Sequence, residues 1–252
     1  MDNQIEKLIN NAGGSKRYQI ILLIIAFFVW QSLSLHNTSL VMLERVPTIN
    51  YLDNKSNYTG KLTYDYCKSS NYTIVENYGF SLVIELGISC NEKDVGLIGS
   101  FNFAGFFVGT FLFSVLNKYI THRTIVIIGI SVYVLIMFSL TFIVKIYYVL
   151  FSLLILGICN VLGLYSVMNI LGDSISSNKR SIFTSILNMG YSLCPITYTY
   201  LYVIFNSWKI IFYIQNVIAI VVLISFIFLV NNSPRMYLTK NQIDEGVETL
   251  KK

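Results

Sequence analysis

Charged residues are scarce in this sequence of 252 residues: Asp, Glu, Lys and Arg make up 12% of it, and apolar residues 54%. So few charges cannot clothe a water-soluble domain of this length, which excludes the ordinary globular classes and makes lipid the solvent of the fold. Proline occurs three times and histidine twice. The first scarcity leaves long helices with few breaks. The second leaves His36 and His122 far apart, with no HExxH, nucleophile elbow or Gly-rich phosphate loop around them. The four cysteines form no CxxC or Cys/His spacing, so no metal site, cofactor or enzymatic activity is expected.

What is present is a series of apolar runs, each about 20 residues or more, the length that crosses a hydrocarbon core. They cover Gln19 to Leu43, Val95 to Leu116, Thr124 to Val144, Tyr147 to Leu171, Ile182 to Phe205 and Ile210 to Val230, and none holds an Asp, Glu, Lys or Arg. Backbone groups in lipid must be satisfied within their own segment, so the runs predict six spanning helices and an all-α membrane protein. The net charge of +5 could suggest a nucleic-acid partner, but the placement of the basic residues gives a plainer reason. Lys7, Lys16, Arg17, Lys118, Arg123, Lys179, Arg180, Arg235, Lys240, Lys251 and Lys252 fall on one side of the spans, and of the short opposite connections only Lys145 and Lys209 carry a cation. That bias predicts cytoplasmic termini. The resulting division is a cytoplasmic N-terminus over 1–18, the first span over 19–43, an external loop over 44–94, the other five spans over 95–230 and the start of a cytoplasmic loop over 231–252. Since the first run is of full span length behind a polar leader, it is expected to stay as a helix rather than be cleaved.

Residues 44–94 are too many for a simple connection and read as a small external domain or an insert. Three N-glycosylation sequons, at Asn54, Asn57 and Asn71, favour the former. Cys67 and Cys90 share this loop, where an oxidising compartment would let them pair; the other readings are free thiols or intermolecular bridges. Cys159 and Cys194 lie within spans and read as small apolar side chains.

Inside the membrane, Gly105 and Gly109 form a GxxxG spacing that lets another helix approach closely. In the fourth span Tyr165, Asn169 and Asp173 recur at i, i+4 and i+8, and in the fifth Asn188, Tyr191, Pro195, Tyr198 and Tyr202 recur every three or four residues. Each set reads as one helix face. Such faces turn toward a water-filled cavity or toward a hydrogen-bonding neighbour helix, and both readings stay open. Pro195 should kink the fifth span. No carboxylate stands near the midplane to bind a cation, so any solute would meet amide, hydroxyl and aromatic groups.

Several stretches, in order along the chain, resemble the N-terminal half of organic cation/anion transporters of the major facilitator superfamily. "SLVIELGISC" (Ser81 to Cys90) and "GSFNFAGFFVGTFLFSVL" are similar to the segment before the family's second helix and to that Gly-rich helix. "SVLNKYITHRT" occupies the position of its inner GxLaDrxGRR loop: Leu116 and Arg123 match, whereas Ser114, Lys118 and Thr121 stand where Gly, an acidic residue and Gly belong. "GDSISSNKR" sets Asp173 and Arg180 like the family's acidic residue and Arg, "GYSLCP" looks like its Gly-Tyr-x-x-x-Pro, and "SWKIIF" like its Trp-Arg helix start. "NSPRMYLTKNQIDEGVETLKK" is similar to its Glu-Ser-Pro-Arg-Trp-Leu signature through Ser233, Pro234, Arg235, Leu238 and Lys240.

The resemblance implies a carrier of a small organic solute that works by alternating access between two six-helix halves. This chain would be the first half, and a C-terminal half, in the same full-length chain or as a partner, would complete it. Tyr165, Asn169, Asn188, Tyr191 and Tyr198 are the expected solute-cavity residues. Leu116, Arg123, Asp173, Arg180, Ser233, Pro234 and Arg235 form the expected inner gate, and the plasma membrane is the expected location. A receptor or scaffold built on the external loop is the alternative. A six-span channel is excluded, since Asn206 to Lys209 is too short for a filter loop and the fourth span has no Arg.

Overall fold

The computed structural model describes residues 16–53, 56–61, 72–74, 81–143, 145–175 and 177–230. The six apolar runs become six long helices: α1 (Lys16–Leu43), α3 (Glu92–Tyr119), α4 (His122–Leu140), α5 (Ile146–Ser174), α6 (Ser177–Phe205) and α7 (Trp208–Leu229). Between α1 and α3 lie three strands, β1 (Thr48–Asp53), β2 (Ser56–Lys61) and β3 (Tyr72–Ile74), and the short helix α2 (Leu82–Leu86). The spanning part is all-helical, and the long connection carries an antiparallel sheet of order β2-β1-β3, with Thr48 opposite Lys61 and Tyr51 opposite both Tyr58 and Tyr72.

Local chemistry sets the helix ends. Thr121 caps α4 by accepting a hydrogen bond from the Thr124 backbone at 3.2 Å. Glu92 and Asp94 lie in the first turn of α3 and Lys118 in its last, each opposite the dipole charge it complements. The turn from α6 to α7 needs a left-handed residue, and Asn206 supplies it at φ 51°.

Five of the long helices are apolar and long enough to cross a membrane; α6 has the length, with 29 residues, but a more polar composition. Helices α1 and α5 pack on each other at the centre, α3 lies on α5 and α6 on α1, and α4 and α7 pair with each other behind them. The core between these layers holds Trp208, Tyr133, Phe212 and Phe226, all fully buried. Phe103, Phe107 and Phe111 along α3 point outward, as a surface solvated by acyl chains permits.

The tightest approach is between α3 and α5, where small residues let backbones touch. A Cβ added to Gly105 would run into the Leu154 carbonyl, one on Gly157 into the Asn102 carbonyl, and one on Gly109 would lie 3.1 Å from Ile158 Cα. The GxxxG spacing therefore serves packing within the bundle.

At the end of α1, Glu44 sits against the Gly99 backbone of α3. Burial pushes its carboxyl above the usual range, and the Gly99 backbone hydrogen bond opposes the shift. The fold thus prefers the protonated form: the carboxylate's cost is present at neutral pH and vanishes below the ordinary glutamate pKa. Glu44→Gln is expected to raise the melting temperature at neutral pH and to leave it unchanged in acid, in detergent melts across that range.

Candidate functional site

A polar side chain within a span needs a protein partner or water, so the polar contacts map the inner surface of the bundle. One network joins three helices across α1. His36 of α1, fully buried, donates from Nε2 to Asn102 Oδ1 of α3 at 3.3 Å; Asn102 donates from Nδ2 to Asn37 Oδ1 at 3.2 Å; Asn37 donates from Nδ2 to Tyr191 Oη of α6 at 3.4 Å. Nearby, Gln31 of α1 donates to Thr197 Oγ1 of α6 at 3.1 Å. The network begins in the core and ends at an exposed side chain, since Tyr191 is 42% exposed. Tyr133 and Phe212 hold the His36 ring edge-on, each at 6.2 Å between centroids.

A second set of polar residues is sealed inside and fastens helices. Gln215 of α7 donates to the Ser32 carbonyl at 3.0 Å and contacts the Tyr133 hydroxyl, and Asn160 of α5 donates to the Leu33 carbonyl at 2.7 Å. These are interhelical fasteners, beyond the reach of any solute.

The two expected stripes fare differently. On α5, Tyr165 is 45% exposed, with its ring 5.5 Å from that of Phe113. Asn169 and Asp173 line a crevice of about 320 Å³ with Arg180, Phe183 and Thr184, at the junction of α5 and α6. On α6 the stripe divides. Asn188, Tyr191 and Pro195 are exposed, whereas Tyr198 and Tyr202 pack with Leu35, Cys194 and Ile211. Tyr198, only 1% exposed, faces α1 and not an open cavity. A 3.6-residue period fixes which residues share a face, but along 29 residues the face drifts relative to a neighbour, so one end becomes packing.

At one end of the bundle, Arg123 Nη2 donates to the Ile227 carbonyl in the last turn of α7 and Arg180 Nη2 to the Gly172 carbonyl near the end of α5, both at 2.7 Å. Each cation sits where a helix C-terminus concentrates negative dipole charge. Asp173 lies within electrostatic reach of His122, and Leu116 is half-buried in the last turn of α3. Ser233, Pro234 and Arg235 lie outside the described residues, as do Cys67, Asn54 and Asn71; Asn57 pairs with Leu52 in the sheet. Cys90 is disulfide-bonded and Cys159 and Cys194 are free.

The opposite end carries a clasp absent from the sequence reading. Ser81 caps α2 and donates to the Arg45 carbonyl at 2.8 Å, and Glu85 of α2 pairs with Lys209 at 2.5 Å while accepting from Trp208 Nε1 at 3.0 Å. One carboxylate thereby ties the end of the long connection to the start of α7. Glu85→Ala leaves the buried Trp208 N–H unpaired and is expected to speed amide exchange over Leu82–Leu86 about tenfold, the effect of losing one hydrogen bond to a charged group. Hydrogen-exchange mass spectrometry of that peptide reads it.

His36, Asn37, Asn102 and Gln31 were not among the expected site residues. All lie within apolar runs, His36 and Asn37 side by side in His-Asn-Thr-Ser and Gln31 next to Ser32, and what signals them is the cost of burying such groups unpaired, not any spacing.

The family model of the Major Facilitator Superfamily matches residues 67–251. No curated protein sequence matches the chain. Among solved structures, that of the peptide transporter POT in complex with sulfate superimposes with a TM-score of 0.51 at 16% identity, over 83% of this chain and 37% of that one. At that identity the likeness is one of fold, and this chain spans little more than a third of the transporter's length.

Proposed function

Because this chain belongs to the major facilitator superfamily, we propose that its six helices form one half of a carrier that moves a small organic solute by alternating access. The second six-helix half, in the same full-length product or as a partner, closes over the face on which α1 and α5 are flanked by α3 and α6. The observation that carries this reading is the network from His36 to Tyr191, because a bundle of apolar helices has no need to lead a buried polar chain out to an exposed hydroxyl.

In this reading Tyr165, Asn169, Asn188 and Tyr191 meet the solute, and Tyr198 stands behind them, packed with Leu35, Cys194 and Ile211. Leu116, Arg123, Asp173 and Arg180, with Ser233, Pro234 and Arg235, form the inner gate. The termini lie in the cytoplasm, the sequons at Asn54, Asn57 and Asn71 face outward beside a Cys67–Cys90 bridge, and the plasma membrane is the site of action. The solute is an organic ion or zwitterion, held by amide, hydroxyl and aromatic groups.

Uptake of labelled organic anions and cations into vesicles carrying the full gene product tests the proposal. Saturable flux of at least one is expected, and its absence across a broad panel would refute transport. The ordered sheet of β1 to β3 favours a second reading, a receptor built on the external segment. Ligand capture by that segment without α5 to α7 would support it.

A further inference from the structure

The three links of the network run in one direction. Asn102 Oδ1, an acceptor, faces His36 Nε2, so that nitrogen carries the proton; Nδ1, buried and without a hydrogen-bond partner, is the bare one. Asn102 passes the direction on by donating its amide N–H to Asn37 Oδ1, and Asn37 donates in turn to Tyr191 Oη. An amide that turns its oxygen to one neighbour turns its N–H to the other, so the tautomer of a buried histidine is tied to the polarity of a side chain on another helix. Tyr191 Oη has accepted a hydrogen bond, and its own proton remains to be given. Moving the proton to Nδ1 with the amides as they stand would set the Asn102 carbonyl against a bare ring nitrogen at 3.3 Å, two acceptors in contact in a dry core. Turning the whole chain round would instead leave the Nδ1–H, a donor, buried without an acceptor, which costs its desolvation.

We infer that Tyr191 presents a hydrogen-bond donor to the solute face, and that the solute class it selects bears an anionic or carbonyl acceptor, such as a carboxylate. This rests on the transport reading for the solute and on the hydrogen-bond chain alone for the polarity. A phenol that has already accepted a bond is also the stronger donor, because hydrogen bonds in a chain polarise one another. The arrangement discriminates against solutes whose only polar group is a cation. Such a group would meet the positive end of the O–H dipole.

Two arms test the inference. In the full gene product, ¹⁵N NMR with the His36 signals assigned by their loss in His36→Gln reads the His36 tautomer directly, with a proton on Nε2 expected; a proton on Nδ1 overturns the inference. In the second arm, benzoate and tetraethylammonium are the probes, with binding read from the ¹³Cζ shift of labelled tyrosine and flux from vesicle uptake. Tyr191→Phe keeps the ring and removes the donor, so benzoate affinity is expected to fall about 10- to 100-fold, the range for a hydrogen bond to a charged group. Unchanged benzoate affinity in Tyr191→Phe, or tetraethylammonium bound in preference to benzoate, overturns the donor assignment while leaving transport standing. Benzoate bound through Tyr191 but not carried overturns transport and leaves the donor assignment standing. Binding and flux of neither probe overturns both.

Discussion

Gly157→Val is expected to prevent the bundle from closing. The α3–α5 crossing is made backbone to backbone: the space a side chain on Gly157 needs is filled by the Asn102 carbonyl, and its partner Gly105 faces the Leu154 carbonyl. A flexible side chain can swing away from an intruding methyl, but a helix carbonyl can move only with its helix. Relief therefore requires α3 and α5 to separate along their whole contact, forfeiting the dispersion that holds helices together where lipid offers no hydrophobic drive. Gly157→Ala and Gly105→Ala are each expected to cost about 1–3 kcal/mol, the usual penalty of overpacking, and valine more. Gly96→Ala, on the same α3 but with nothing near its Cβ, is the control and should stabilise by up to about 1 kcal/mol through helix propensity. The buried free thiols of Cys159 and Cys194 provide the readout, since a thiol-reactive dye reports them only as the bundle opens. Equal melting curves for Gly157→Val and Gly96→Ala would refute the close crossing.

Half of this contact is legible in the sequence and half is not. Gly105 with Gly109 forms a spacing that announces a close approach, whereas Gly157 stands alone in an apolar run and becomes its counterpart only through the fold. The same asymmetry holds elsewhere. Six apolar runs and the GxxxG spacing require only local rules, so the helices and their close packing can be read from residues alone. Which face of a helix meets lipid and which meets protein cannot, because acyl chains and leucines are equally apolar; hence Tyr198 and Asn188, on one stripe of α6, end up in packing and in the open respectively. His36, Asn37 and Asn102 are separated by up to 66 residues and share no motif. They become a site only when α1 and α3 are side by side. Along α6 itself, the hydroxyl and amide content that lowers its hydropathy below that of the other five long helices is a signal that composition does carry, and it marks the helix that contributes Tyr191 and Thr197.

The sharpest functional consequence concerns Asn37, which joins Asn102 to Tyr191. Asn37→Asp keeps the volume, and because Asn37 is only partly buried and has Asn102 Nδ2 and the Tyr191 hydroxyl as donors, the bundle should still fold, at the cost of desolvating one charge. The carboxylate can still accept from Asn102 Nδ2, as Asn37 Oδ1 does at 3.2 Å, but it has no N–H to give to Tyr191. The Tyr191 hydroxyl then donates inward to the carboxylate, a charge-assisted bond stronger than the neutral one it replaces, and turns only lone pairs toward the solute face. Donor becomes acceptor, and a negative charge now stands behind it in a medium of low dielectric. Asn37→Asp is therefore expected to reverse the preference of the carrier, lowering benzoate flux at least about tenfold while raising that of tetraethylammonium. Asn37→Leu, which cuts the chain without adding charge, should lower benzoate flux and leave tetraethylammonium where it was. Paired uptake measurements on the two variants, normalised to folded protein, separate a change of hydrogen-bond direction from a simple loss of contact: only the former predicts that one variant gains a substrate the other does not.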